Sequence, residues 1–274
     1  MQGWLLEHVF SSLPVHECAA AYKQGSSIKK NAEVHARQSY IVKTDFNNFF
    51  NSVKAVDLER LFKKYFLDVY SESDLNSIVQ LCCYRSTDNG LCLSVGAPAS
   101  PLLSNAIMYD FDEKMAQWCS ARKIKYSRYA DDLTFSTNVS GLSSEILPAV
   151  KHFVEVYDWV RLKINDEKTV HVSKKYQRRV TGLILSNDGQ VSLGRERKRL
   201  ISSQIHKFKA GTLERNEVYK LQGLLAFAAD VEPIFIIRMN IKYGNETLSE
   251  LFKIRRPPVE QLLAMSLSEL GLGS

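Results

Sequence analysis

Residues 125–136 read KYSRYADDLTFS, and this stretch constrains the fold more than any other. It sets two adjacent carboxylates, Asp131 and Asp132, between two apolar-flanked runs. Neighbouring side chains of an extended strand point to opposite faces. A tight turn at Ala130-Asp131-Asp132 would instead bring both carboxylates to one edge of a hairpin. Two such charges repel, so the arrangement suggests a cation that offsets them. An ordinary solvated hairpin tip is the plainer reading, because Asp is a favoured turn residue.

The flanking segments say what this hairpin joins. SYIVKTDFNNFF (39–50) opens with Tyr40 and the β-branched pair Ile41 and Val42, and reads as a buried strand. Before it, residues 1–24 read as helical with a break at Pro14 and a turn at Gly25-Ser26. After it, Val56, Leu58, Leu61, Phe62, Tyr65 and Phe66 form one helical stripe, and Leu75, Ile78, Val79 and Cys82 another. STDNG (86–90) reads as a polar loop. In GAPASPLLSNAIMYDFDEKMAQW, the apolar positions Leu103, Ile107, Phe111, Met115 and Trp118 recur at helical spacing. Past the hairpin come a helix from about 145 to 160 and two strand candidates, KTVHVS (168–173) and RRVTGLIL (178–185). Gly194 onward reads as helix, with turn chemistry and a boundary at 186–194. This order gives an α+β fold built on a largely antiparallel sheet.

Charge is unevenly spread. Residues 161–220 carry 15 Lys/Arg against 6 Asp/Glu, while the chain as a whole carries 36 against 30. A basic C-terminal half beside an acidic cluster is compatible with a polyanion bound near a metal. A solvated basic helix face is the alternative. The five cysteines form no CxxC pair, which points to reduced thiols in a cytoplasmic protein and away from zinc. No apolar run reaches membrane-span length, and MQGWLLEHVFSSLP lacks the features of a signal peptide. Its abrupt helical pattern suggests a chain that begins partway into an element.

Asp45 at a strand end could meet Asp131 and Asp132 if the two strands are neighbours. Such oxygen ligands suit Mg²⁺, which takes one or two carboxylates plus substrate phosphates. A cap or turn role is the other reading of Asp45.

TDFNNFF, GAPASP, RYADD and INDEKT stand in the order found in reverse transcriptases, and NAEVH (31–35) and VTG (180–182) match two further elements. On these six, the chain resembles the retron reverse transcriptases of bacteria. The resemblance implies a right-hand polymerase fold, with an antiparallel palm sheet carrying helices on one face, partial fingers and a helical thumb. Residues 1–38 would be partial fingers, 39–52 the first part of the palm and 53–93 a helical fingers/palm insertion. Residues 94–188 would complete the palm, and 189–274 would form the RNA-binding thumb.

It also implies roles. Asp45 and Asp131 would hold two Mg²⁺ ions, with Asp132 the accompanying acid and Phe46 lending its backbone carbonyl. Phe50 would gate against a 2′-hydroxyl on the incoming nucleotide. Gly96, Ala97 and Pro98 would let the backbone approach that nucleotide. Lys168 would act on the leaving pyrophosphate. RNA contacts would come from Asn31, His35, Lys174, Lys175, Arg178, Arg179, Thr181, Arg195, Arg197, Lys198 and Arg199.

The implied activity is RNA-directed DNA synthesis from dNTPs on a cognate structured non-coding RNA. Synthesis would start at the 2′-hydroxyl of an internal guanosine, giving a branched RNA-linked DNA. An effector protein partner in antiphage defence is also implied, and no membrane. A catalytically silent RNA-binding scaffold, or a group II intron or other defence lineage, are the competing readings. Family members carry further residues ahead of the helix starting here at Gln2. This chain also departs at Ser94, Val95, Asn48 and Asn51, where Pro, Gln, acidic and Pro residues are frequent.

Overall fold

The computed structural model describes residues 1–88 and 90–255, so the last part of the expected thumb, 256–274, lies outside the described residues. The chain starts with α1 (Gln2–His8) and a 3-10 turn at Phe10–Ser12. The helix expected through residue 24 ends there. Pro14 has no amide hydrogen to continue it, and the following segment is pulled onto a strand edge. The Cys18 carbonyl accepts from the Arg128 amide (2.9 Å), and the Ala20 amide donates to the Arg128 carbonyl (2.7 Å). α2 (Ile28–His35) begins at Ser27, whose hydroxyl accepts from the Lys30 amide at 3.1 Å.

β1 (Tyr40–Asp45) leads through a one-turn helix α3 (Phe49–Ser52) into α4 (Ala55–Phe66) and α5 (Glu72–Cys82). The expected loop at 86–90 links two short strands that the sequence reading did not include, β2 (Cys83–Ser86) and β3 (Gly90–Leu93), which pair as a hairpin. Its strands are four residues each, too short to give a readable alternation. The long helical run after it is two helices, α6 (Ser100–Ile107) and α7 (Tyr109–Ser120), parted at Met108.

β4 (Lys125–Tyr129) and β5 (Asp132–Thr137) form the hairpin read from KYSRYADDLTFS. α8 (Ser143–Glu155) stops before the expected 160, because buried Tyr157 and Val160 turn inward and the Tyr157 hydroxyl donates to the Ile107 carbonyl. β6 (Val170–Ser173) follows. RRVTGLIL is not one strand but a second hairpin, β7 (Arg178–Val180) and β8 (Leu183–Leu185). Thr181 and Gly182 at its tip both take positive φ, +44° and +79°, which reverses the chain.

The main sheet has the order β4-β5-β1-β6, with every pairing antiparallel. Cross-strand partners share a face. Val42, Leu133, Phe135 and Tyr126 point into the core formed with α6, α7 and α8. Ile41, Asp45, Asp132 and Ser136 therefore lie on the other face. β1 is paired with β5 along its whole length and with β6 as far as Lys43, and the Asn165 amide donates to the Asp45 carbonyl at 2.9 Å, so the C-terminal end of β1 is tied on both sides.

These elements belong to one compact unit, Met1–Val191, and a second begins at Ser192. The second contains α9 (Arg195–Lys209), α10 (Arg215–Val231), α11 (Pro233–Tyr243) and α12 (Asn245–Lys253). Ile201, Ile205, Leu221, Leu225, Met239 and Leu251 are buried within it. Among the described residues, no helix is long and apolar enough to cross a membrane.

Candidate active site

The register of β5, β1 and β6 brings the acids together. Asp45 lies directly opposite Asp132, and Lys43 opposite Val170, so extending the β1–β6 register places Lys168 beside Asp45. The Lys168 ammonium does reach Asp45 Oδ2 at 2.7 Å. Asp131 occupies the hairpin turn next to Ala130, whose φ is +57°. Its carbonyl accepts from the Phe46 amide at 3.3 Å, which ties the turn to the end of β1. Asp45, Asp131, Asp132, Lys168 and the Phe46 backbone thus form one cluster at one end of the sheet.

Its electrostatics are strained. Asp45 is 5% exposed, and Oδ1 has no hydrogen-bond partner although it is buried. Burial, then the negative charge of Asp45, holds the Asp131 pKa above its ordinary value. Burial, then Asp131, does the same for Asp132. The Lys168 pKa is raised as well, by its hydrogen bond to Asp45 and then by that residue's charge, which for a lysine favours the charged form.

A buried carboxylate oxygen without a donor is costly unless something positive meets it. Asp45 Oδ1 therefore fits a divalent cation, as does the pair of raised acids beside it. Among the described residues, no group of three or more His, Cys, Asp or Glu side chains is arranged to hold a metal ion by itself. Mg²⁺ does not need one, since it keeps waters and substrate phosphates as ligands.

The remaining candidates separate by position. The Phe46 ring is buried and stacks on Phe49 at 5.7 Å, so only its backbone faces the cluster. Phe50, on α3, is half-buried with its ring edge-on to Phe49 at 5.4 Å. Asn48 caps α3 in the left-handed region, φ +48°, which Asn tolerates better than most residues and which accounts for its presence there. Asn51 accepts from the Tyr84 hydroxyl at 3.2 Å. Gly96 has φ +82° and is exposed, as are Val95 and Pro98, while Ala97 is half-buried.

Several expected RNA contacts are corrected. His35 is 0% exposed, and its ring nitrogens bond Ser136 Oγ (2.7 Å) and Ser127 Oγ (2.8 Å), so it locks α2 to the sheet. Arg178 is also 0% exposed. Its guanidinium donates to the carbonyls of Gln38, Ala36, Leu185 and Ser186, so it staples a hairpin rather than facing a phosphate. On α9, the Arg197 guanidinium lies 5.1 Å from the Phe227 ring centre and Lys198 pairs with Glu232 at 2.6 Å. Both are half-buried and make these contacts within their own helical unit.

Lys175, Arg179, Arg195 and Arg199 are exposed, and Lys174 is half-buried. Thr181 donates to the Ile28 carbonyl at 3.0 Å, so VTG packs against the start of the NAEVH helix. Asn31 is 2% exposed, with neither amide atom partnered.

His35 carries a testable consequence. Burial lowers its pKa to about 3, against 6.5 for the free side chain. The unfolded chain thus binds a proton that the folded chain refuses, and stability is lost as pH falls from 6.5 toward that value. The loss is about 1.4 kcal/mol per pH unit from this one group. Urea unfolding at pH 7, 6 and 5 should show a shallower decline for His35→Gln than for the wild type. Equal slopes would contradict a buried neutral ring.

Sequence reading missed a buried ion pair beneath the hairpin. Arg128 and Asp112 are both 0% exposed and meet at 2.5 Å. Arg128 also donates to Asn105 Oδ1 (3.1 Å) and to the Ala130 carbonyl (3.0 Å), so it holds the turn that carries Asp131. Two signals were available: an Arg alternating with Tyr126 on the same strand face, and Asp112 four residues after Met108 on the apolar side of α7.

The comparisons agree with this geometry. The family model described as reverse transcriptase (RNA-dependent DNA polymerase) matches residues 5–185. Retron Ec83 reverse transcriptase of Escherichia coli is 41% identical over 256 residues, covering 92% of this chain and 82% of that one. Retron Ec73 reverse transcriptase of Escherichia coli is 34% identical, covering 90% and 80%. Retron Ec86 reverse transcriptase, also of Escherichia coli, is 28% identical, covering 91% and 76%.

Proposed function

The chain belongs to the retron reverse transcriptases, enzymes that synthesise RNA-linked DNA, and from that premise we propose how its residues divide the work. Asp45 and Asp131 would hold two Mg²⁺ ions, with Asp132 alongside and the Phe46 carbonyl as a further oxygen. The single observation that carries this is Asp45 Oδ1, a buried anionic oxygen that no protein donor meets. When bound, the metals supply activation of the attacking hydroxyl and charge stabilisation at the leaving oxygen.

The protein's own groups do the rest. β1, paired on both sides, fixes Asp45, and the bond from the Phe46 amide fixes the height of the Asp131 turn. Lys168, held protonated by Asp45, stands ready to neutralise or protonate the departing pyrophosphate. Gly96, Ala97 and Pro98 line the approach of the nucleotide. In the first unit, Lys174, Lys175 and Arg179 would contact phosphates of the template–primer duplex, and Lys175 and Arg179 are exposed; Arg195 and Arg199, exposed in the second unit, would each do the same. RNA–DNA duplexes are held through backbone and shape rather than through base edges of the deep groove.

We assign the helices from Ser192 onward to the thumb and the main sheet with its flanking helices to the palm. The template would be a cognate structured RNA primed from an internal 2′-hydroxyl, and an effector protein would act downstream in antiphage defence. The five unpaired thiols suit a reducing cytoplasm.

Phe50 supplies a test at the level of sugar choice. Its half-buried ring follows Asp45 by one turn of chain and would collide with a ribose 2′-hydroxyl. Phe50→Val should raise incorporation of ribonucleotides relative to deoxynucleotides by about ten- to a hundredfold. Single-nucleotide extension with dGTP and GTP measures this, and an unchanged ratio would remove Phe50 from the gate.

A further inference from the structure

Lys168 has to meet a leaving group from a fixed place, yet its side chain is 69% exposed. An exposed ion pair holds a long side chain weakly, because screening and lost rotamer freedom offset most of the attraction. The 2.7 Å contact with Asp45 therefore follows from where the backbone sets Lys168. The sheet ladder does not reach that far, since the pairing of β1 with β6 ends at Lys43 and Val170. Lys168 itself belongs to a 3-10 turn, Asp166–Lys168, just ahead of β6.

Side chains continue the register where the ladder stops. Counting on from Lys43 and Val170 puts Thr44 opposite Thr169, and Asp45 opposite Lys168. The two threonine hydroxyls meet at 2.9 Å, and Thr44 is 3% exposed. Thr169 donates its one hydroxyl hydrogen to the Asn165 carbonyl at 3.2 Å, so Thr44 is the donor within the pair. The Asn165 amide in turn donates to the Asp45 carbonyl at 2.9 Å. These bonds close a ring that begins and ends on neighbouring residues of β1, and the turn carrying Lys168 lies within it. Neighbouring residues of an extended chain point to opposite faces. With Thr169 turned to Thr44, Lys168 is turned toward Asp45. The turn's other side-chain tie, Lys151 to Asp166 at 2.7 Å, is exposed at both ends and fixes little.

We infer that the Thr44–Thr169 hydroxyl pair is a clasp that sets Lys168 against Asp45, which makes Thr169 a positioning residue for the chemical step. That role rests on the polymerase reading, in which Lys168 acts on the departing pyrophosphate. A group displaced by about 1 Å from its working place can cost on the order of a hundredfold in rate. The affected contact strengthens as pyrophosphate leaves, so loss of the clasp lowers the maximal rate and spares nucleotide affinity.

Single-turnover dNTP incorporation on a primed RNA template, run across dNTP concentrations, tests this. Thr169→Val keeps the shape and removes the hydroxyl. It should lower the maximal rate about tenfold, with half-saturation moved by less than about twofold. Thr169→Ser restores the hydroxyl and should recover most of the rate. In a Lys168→Ala background, Thr169→Val should cost nothing further, because Thr169 acts only through that lysine. A merely structural threonine would slow both backgrounds alike. Hydrogen exchange across 163–171 reads the clasp without catalysis: it should quicken in Thr169→Val and match the wild type in Thr169→Ser, each variant being shown folded by its thermal midpoint. Unchanged exchange, or the same rate loss with and without Lys168, overturns the proposal. A wild type that incorporates nothing overturns the polymerase reading and the task of Lys168 with it. An active wild type matched by Thr169→Val overturns the clasp alone.

Discussion

Asp131→Asn is expected to lower dNTP incorporation on an RNA template on the order of a thousandfold, while leaving the protein folded and at least as stable. The amide keeps the size and one acceptor of the carboxylate but removes its charge, and with it one of the two anionic arms that face a cation. The stability half of the expectation follows from the raised pKa. Burial and the negative charge of Asp45 make the ionised Asp131 unfavourable in the fold. The folded chain therefore holds that proton more tightly than the unfolded chain. Stability from this group falls as pH rises from the ordinary carboxylate pKa through the raised one. In the Asn variant that loss is absent, so its thermal midpoint at neutral pH should equal or exceed that of the wild type. Primer extension with Mg²⁺ and dNTPs, run beside a melting curve, reads both. Retained incorporation would remove Asp131 from the centre and revive a scaffold that binds RNA without copying it. A protein that loses activity only because it melts would show the charge to be structural.

The cluster was legible because its members sit in short, ordered motifs whose spacing sets the register. TDF ends a strand, RYADD turns a hairpin on one side of it, and INDEKT returns along its other side. Once β1 is flanked by β5 and β6, Asp45, Asp132 and Lys168 must fall in a row across one face. What the chain did not disclose was the direction of its basic residues. KKYQRR and RERKR each look like a positive stripe, yet Arg178 turns into the fold to satisfy backbone carbonyls, and Arg197 and Lys198 face their own helical unit. Counting charges cannot distinguish an arginine that stabilises a hairpin from one that grips a phosphate. The difference depends on which carbonyls a turn leaves unpaired, and that turn, with positive φ at Thr181 and Gly182, was itself read as continuous strand. His35 failed in the same way. Its spacing from Asn31 describes a helix face, and only the sheet beneath decides that the face is buried against Ser127 and Ser136.

Arg128 joins that hidden layer to the catalytic turn, and its replacement should give the largest stability effect in the chain. Arg128→Met leaves the Asp112 carboxylate buried at 0% exposure without its cation, with only neutral side-chain donors, the Tyr126 hydroxyl at 2.8 Å and the Cys18 thiol. Breaking a buried pair from one side costs about 3–5 kcal/mol. For a unit of this size, that is a fall of roughly 10 °C in thermal midpoint. Arg128→Lys should fall between, because a single ammonium cannot serve Asp112, Asn105 and the Ala130 carbonyl together. The double variant Arg128→Met/Asp112→Asn removes both charges, and Asn still accepts from Tyr126, so most of the lost stability should return. Its polymerisation rate should not. The Ala130 carbonyl, one residue before Asp131 and held at φ +57°, would still lack the donor that fixes the turn. A stable double variant with depressed turnover and near-normal RNA affinity therefore marks Arg128 as a positioning residue for the metal-holding turn. Recovery of stability and turnover together would confine the pair to the packing of α7 against β4.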